Sequence, residues 1–182
     1  MESEIVTGRG RVLHRARPDD VAGIVALETQ PAMSRYIGHW SAEHHLRNLT
    51  DSGSHYLVTR SPQGTVDGFA IVTQYAPKFR WYEFTRIAVS EPGEGRGSDV
   101  LVAVIGYVFD RLGAHRLQLE VYEDNLRARR AYARAGFREE GLLRDAVTRD
   151  GIWLPLVLMA LLENERPGGS VAGVETRARR NV

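Results

Sequence analysis

The segment IAVSEPGEGRGSDVLVAVIGYVFDRL, Ile87 to Leu112, constrains the fold more than any other part of the chain. A β-rich run stops near Val89 and three glycines follow at alternate positions, Gly93, Gly95 and Gly97. Val100, Leu101, Val104, Ile105, Val108 and Leu112 then recur at helical spacing. A strand must therefore turn into a helix with an apolar stripe to bury. A glycine-rich turn can bring successive backbone N–H groups to one point. At a helix N-terminus those donors, with the macrodipole, suit phosphate or pyrophosphate. A side chain at the glycines would hold an anion away from the backbone, and Ser98 adds a hydroxyl. A merely flexible turn would use the same glycines. The spacing G-x-G-x-G is not the dinucleotide fingerprint, and no Gly-Lys-Ser/Thr loop supports nucleotide triphosphate binding.

The body around this segment alternates strand-like and helix-like stretches. Arg11 to Ala16 reads as a strand, and Pro18-Asp19-Asp20 opens a helix through Glu28. Ser41 can cap a helix to about Leu49. His55 to Arg60 and Val66 to Gln74 flank the turn residues Ser61-Pro62-Gln63-Gly64, a hairpin signal, and Trp81 to Val89 is a further strand. The order predicts a mixed α/β sheet. With 182 residues, 43% hydrophobic and 26% charged, the chain suits one domain with its own core. The absence of cysteine excludes disulfides, thiolate metal sites and a cysteine nucleophile.

Charge adds further exclusions. Net charge is +1, which argues against a dominant nucleic-acid surface. No apolar run approaches the roughly 20 residues that span a bilayer. The start, Met-Glu-Ser-Glu, has no signal-peptide pattern, so a cytoplasmic protein without a membrane partner is expected. From Arg166 onward four arginines stand against one glutamate in a Gly-rich, aperiodic stretch. Residues 1–164 are expected to form the domain and residues 165–182 a basic, flexible tail.

A second segment, LQLEVYEDNLRARRAYARAGF, splits into a strand, Leu117–Tyr122, and a helix from Asn125. Asn125 suits the N-cap and Gly136 the C′ position. Asn125, Ala128 and Tyr132 fall on one face, with Arg127, Arg129, Arg130 and Arg134 mostly on others. Taken alone, Asn125 can be a cap and Tyr132 a packing aromatic.

Together, PGEGRGSDVL and the motif N-x-x-A-x-x-x-Y-x-x-x-G-F (Asn125, Ala128, Tyr132, Gly136, Phe137) resemble the acetyl-coenzyme A site of the GNAT superfamily of N-acetyltransferases. The continuation, with Arg144-Asp145, Gly151 and Met159, resembles the closing hairpin of the RimJ/RimL-like branch, and Phe109 and Leu112 fall where that branch has its F-x-x-L. The resemblance is strong over residues 81–162 and extends only to element order over 9–80. It implies a mixed, mostly antiparallel central sheet flanked by helices. It also implies acetyl-coenzyme A as cosubstrate, no metal, and an amine acceptor that is a small molecule or a peptide N-terminus. A homodimer is left open. Two departures stand out: Pro92 replaces the usual Gln or Arg before the loop, and Leu154-Pro155 lacks the branch's Asp. Arg96 can supply the missing cation.

On the family's pattern the cofactor would be held by Gly93, Glu94, Gly95, Arg96, Gly97 and Ser98, by Ile87, Ala88 and Val89 of the preceding strand, and by Asn125, Ala128 and Tyr132. Tyr132 takes the general-acid position. Glu120 and Glu83 are the two candidates for the base; either carboxyl would be raised into a useful range by burial, and a water chain would serve as well. The rival reading is a catalytically impaired acyl-coenzyme A sensor, supported by Pro92 and opposed by Tyr132.

Residues 30–52 are expected on the acceptor side and include Arg35, Tyr36, His39, Trp40, Glu43, His44, His45 and Asp51. His39 and Trp40 are the candidate acceptor contacts, and adjacent His44-His45 suits no zinc site. A polyamine would call for an acidic pocket. With two carboxylates against Arg35 and Arg47, the segment leans toward an acceptor with one amine and a neutral or anionic remainder.

Overall fold

The computed structural model describes residues 5–6, 12–90 and 95–167. Its strands are β1 (Ile5–Val6), β2 (Val12–Arg15), β3 (Ser54–Arg60), β4 (Val66–Ala76), β5 (Trp81–Val89), β6 (Arg116–Tyr122), β7 (Arg138–Arg149) and β8 (Ile152–Leu162). They form one sheet in the order β1-β2-β3-β4-β5-β6-β8-β7. Every neighbouring pair is antiparallel except β5 and β6. The helices are α1 (Val21–Glu28), α2 (Pro31–Ile37), α3 (Ala42–Leu49), α4 (Arg96–Gly106) and α5 (Leu126–Arg134). The expected mixed, mostly antiparallel sheet with flanking helices is the one observed.

Local chemistry explains most boundaries. The Ser41 hydroxyl accepts the His44 N–H at 3.2 Å and starts α3. Asn125 caps α5 by accepting from the Ala128 N–H at 3.2 Å, and Gly136 follows the helix at φ 103°. The helix expected from Pro18 begins instead as a 3₁₀ turn, Pro18–Asp20, before α1. Helix α2 has no counterpart among the expected elements. It is seven residues long with only Met33 fully buried, so it presents too little periodicity to read.

Two apolar clusters lie on opposite faces of the sheet. Helix α4, its π-helical extension Tyr107–Arg111 and part of α5 cover one, with Val72, Phe84 and Leu119 beneath. Helices α1 to α3 cover the other, over Val58, Phe69 and Ile71. The expected apolar stripe of α4 is buried as predicted, with Val100, Leu101, Val104 and Ile105 in the core. At the C-terminal end Arg166 pairs with Asp110, which ties the first residue of the arginine-rich segment to the domain. The remainder, from residue 168, lies outside the described residues.

Candidate active site

The candidate cleft arises where two parallel strands part. β5 and β6 pair only at Trp81–Arg116, Tyr82–Leu117 and Glu83–Gln118. Beyond that point β5 continues to Val89 and β6 to Tyr122 without pairing to each other. Ile87, Ala88 and Val89 remain bonded to Ala70, Phe69 and Gly68 of β4, so their other edge faces the gap. The opening is a cleft of about 540 Å³ lined from both faces of the sheet. On the α4/α5 face stand Gly95, Gly97, Ser98, Asn125, Ala128 and Tyr132; on the other, α2 and Trp40.

Two helices begin at this gap, and both can direct N-terminal N–H groups toward it. Helix α4 starts after Gly95, whose φ of 79° is a left-handed conformation that side chains rarely adopt. Helix α5 starts at the Asn125 cap. Oriented donors, a macrodipole at each helix start and an unpaired strand edge fit an acyl-coenzyme A, with its anionic pyrophosphate and amide-containing arm. Gly93 and Glu94, and with them Pro92, lie outside the described residues. Arg96 opens α4 but is not among the cleft-lining residues, whereas Arg127 and Arg134, expected mostly on other faces of α5, do line it.

A bulge decides which side chains reach the second face. Ile71 pairs with Arg86 and the next residue, Val72, pairs with Phe84, leaving Thr85 as the extra residue of β5. The inserted residue reverses the alternation, so Glu83 and Arg86 both face α2 although three positions separate them. Glu120 and Tyr122 of β6 share that face, opposite to buried Leu119 and Val121. Tyr132 approaches from the other face.

The two glutamates differ. Glu83 is half-buried, and burial raises its carboxyl above the usual range, with the nearby charge of Glu120 adding to the effect. Glu120 is exposed, contrary to the burial that would have tuned it. Burial pushes the Tyr132 phenol up to about 12, and its ring meets buried Phe137 edge-on with centroids 5.9 Å apart.

Of the segment 30–52, Tyr36 and Trp40 line the cleft, together with Ala32, Met33 and Ile37. His39 is exposed and His44 half-buried, both are absent from its lining, and Glu43 is paired with Arg47 at 2.9 Å. His45 is fully buried and structural. Its Nε2 lies 3.2 Å from the Glu28 carboxylate and its Nδ1 3.3 Å from the Tyr56 hydroxyl.

That contact belongs to a buried network that sequence reasoning missed. Arg86 donates from Nη1 to Glu28 Oε1 at 2.8 Å and to the Ile37 carbonyl at 2.7 Å, while its guanidinium stacks 3.8 Å from the Trp40 ring centroid. The Trp40 N–H donates to Glu28 Oε2 at 2.9 Å. The network fixes residues 37–40 at the cleft wall. In the sequence Glu28 is the last residue of an expected helix, and nothing local marks its partners. Across the mouth, Arg35 pairs with Asp124 at 2.8 Å, and the Tyr36 and Tyr122 rings lie 5.9 Å apart.

The family model for an acetyltransferase (GNAT) domain matches residues 11–138. The chain belongs to the GNAT acetyltransferase family. A curated relative, "Probable N-acetyltransferase YjcK" of Bacillus subtilis (strain 168), is 33% identical over 70 residues. That stretch spans 38% of this chain and only 39% of the relative. Among solved structures, spermidine N-acetyltransferase SpeG of Vibrio cholerae in complex with CoA and spermine superposes at a TM-score of 0.74. It is 21% identical and covers 85% of this chain and 96% of that one. A SpeG chimera with hSSAT superposes at 0.76 with 22% identity, again over 85% and 96% of the two chains. At these identities the likeness is one of GNAT fold.

Proposed function

We propose that this protein transfers an acetyl group from acetyl-coenzyme A to a primary amine, a peptide N-terminus or a small molecule, by direct attack. The observation that carries the reading is the cleft itself. One gap between β5 and β6 brings Tyr132 from one face together with Glu83 and Glu120 from the other, beside two helix N-termini.

The thioester supplies an activated acetyl carbon. Backbone N–H on the open edge of β5, around Ile87–Val89, would polarise its carbonyl oxygen. An alkyl amine is protonated at neutral pH, with a reference pKa near ~10.4. Glu83, held in a half-buried site, takes one proton from the ammonium, and Glu120 supports the positive charge at the mouth. The C–N bond forms as the C–S bond breaks, and Tyr132 protonates the departing sulfur. The second proton shed by nitrogen returns to Tyr132 through solvent, so each turnover releases one proton net. The phenol, with its pKa at about 12, is protonated throughout the neutral range.

The closing hairpin β7–β8 supports placement in the RimJ/RimL-like branch through Arg144-Asp145, Gly151 and Met159. The test is a turnover assay that detects free thiol and identifies the acetylated product by mass. Acetyl-coenzyme A binding without thiol release from any amine would favour the sensor reading instead.

A further inference from the structure

Resting on that catalytic reading, we propose that the acceptor is a primary monoamine with an apolar or aromatic body, and that polyamines are poor substrates. Among the described residues, the carboxylates lining the cleft are Glu83 and Glu120. Glu83 pairs with Gln118, two residues before Glu120, and both face α2. The pair serves one ammonium.

Three carboxylates outside the lining are already engaged, and Asp145, which shares an adjoining opening with Glu120, does not line the cleft. Glu28 is fully buried between Arg86, His45 and the Trp40 N–H. Glu43 pairs with Arg47, and Asp124 with Arg35. The charged side chains that do line the cleft beyond the two glutamates are Arg86, Arg127 and Arg134. Arg86 is neutralised by Glu28, and Arg127 and Arg134 stand on α5, so a second ammonium would lose hydration without gaining a further anion in the lining.

The rest of the α2 side is aromatic and apolar: Tyr36 and Tyr122, with Met33, Ile37, Trp40 and Leu156. Met33 and Leu156 are each 7% exposed and belong to the packed wall. Trp40 is held in place by the Arg86 guanidinium stacked against its ring. Such a wall favours apolar surface at about 25 cal/mol per Å² removed from water. It offers little to the hydroxyls of an amino sugar. The likeness to spermidine N-acetyltransferases is one of fold at 21–22% identity and does not fix the side chains of this lining.

The experiment compares phenethylamine, hexylamine, glucosamine and spermidine at equal concentration, by thiol release and product mass, on wild type and Ile37→Asp. Amine binding to the CoA-loaded protein is measured in parallel by calorimetry. The expected kcat/KM for phenethylamine or hexylamine exceeds that for spermidine and glucosamine at least tenfold, and Ile37→Asp narrows the gap to spermidine by a further carboxylate. Turnover of spermidine or glucosamine at or above the monoamines would overturn the acceptor assignment and leave the catalytic reading standing. Binding of the apolar monoamines with no turnover of any amine would do the reverse. Failure of the monoamines to bind overturns the assignment whatever the turnover.

Discussion

Glu83 and Arg86 point to the same side of β5 because Thr85 is bulged out between them. A regular strand would send them to opposite faces, one toward α4 and one toward α2. The bulge thereby gives the α2 side both a candidate base and the cation that organises its wall. The two have different partners. Arg86 is neutralised by Glu28 at 2.8 Å, whereas Glu83 keeps its carboxylate for the cleft.

Glu83 should therefore set the acidic limb of the rate profile. Its carboxyl is raised by burial first and by Glu120 second, so it loses its proton only above the ordinary carboxylate range. Activity that depends on the ionised form falls as pH drops through that raised value. Glu83→Gln is expected to lower kcat by roughly 10²–10⁴ and flatten this limb. Glu120→Gln should keep the limb but shift it to lower pH, since a like charge has been removed. A profile of kcat/KM from pH 5 to 9 distinguishes them; an unchanged limb in Glu83→Gln rules it out as the base.

Tyr132→Phe keeps the ring and its edge contact with Phe137 while removing the proton. Affinity for acetyl-coenzyme A should change less than about threefold, and turnover should fall by roughly 10²–10⁴. Stopped-flow and calorimetry on the same preparation check the pair. Equal losses in both would make Tyr132 a packing residue.

Gly97→Val tests the anion-binding turn with little structural confusion. Among the described residues a Cβ built there meets only Val89 Cγ2 at 3.9 Å, an ordinary contact, so the protein should fold with its melting temperature nearly unchanged. The side chain would stand at the end of the cleft proposed to hold the cofactor, and acetyl-coenzyme A affinity should drop at least tenfold by calorimetry. Gly95→Val is the poorer probe because φ is 79° at that position. Unchanged affinity in folded Gly97→Val would remove the turn from the cofactor site.

Glu28→Gln should cost about 3–5 kcal/mol, the range for breaking a buried ion pair and stranding its partner. Burial raises the Glu28 carboxyl, but hydrogen bonds from His45 and Trp40 and the charge of Arg86 outweigh it and hold the group below its usual value. A depressed carboxyl contributes stability above its unfolded pKa and loses it as pH falls through the folded one. The deficit of Glu28→Gln relative to wild type should be full at pH 7 and shrink below about pH 4.5. Urea unfolding at both pH values measures it. A deficit independent of pH would mean that packing, not ionisation, is what Glu28 contributes.

The sequence alone determined the elements whose signals are local. The β-rich run to Val89, the turn at Gly95 and Gly97, the apolar stripe of α4 and the Asn125 cap depend on residues within a turn or two of each other, where spacing and capping chemistry act directly. Family motifs carried by those elements brought Tyr132, Ala128 and Asn125 to notice, and they share one cleft with Glu83 and Glu120. Tertiary structure decided what depends on partners far along the chain. The gap between β5 and β6 exists because pairing stops at Glu83 and Gln118, and no local pattern marks that stop. The Thr85 bulge is a mismatch with β4, so its reversal of Arg86 is invisible in either strand alone. Nothing local marks Glu28 or His45 as buried; Arg86, 58 residues after Glu28, closes the network that holds them. Burial and charge compensation are pairwise properties of the folded chain, and they chose which of its many polar residues face the reaction and which only hold the wall.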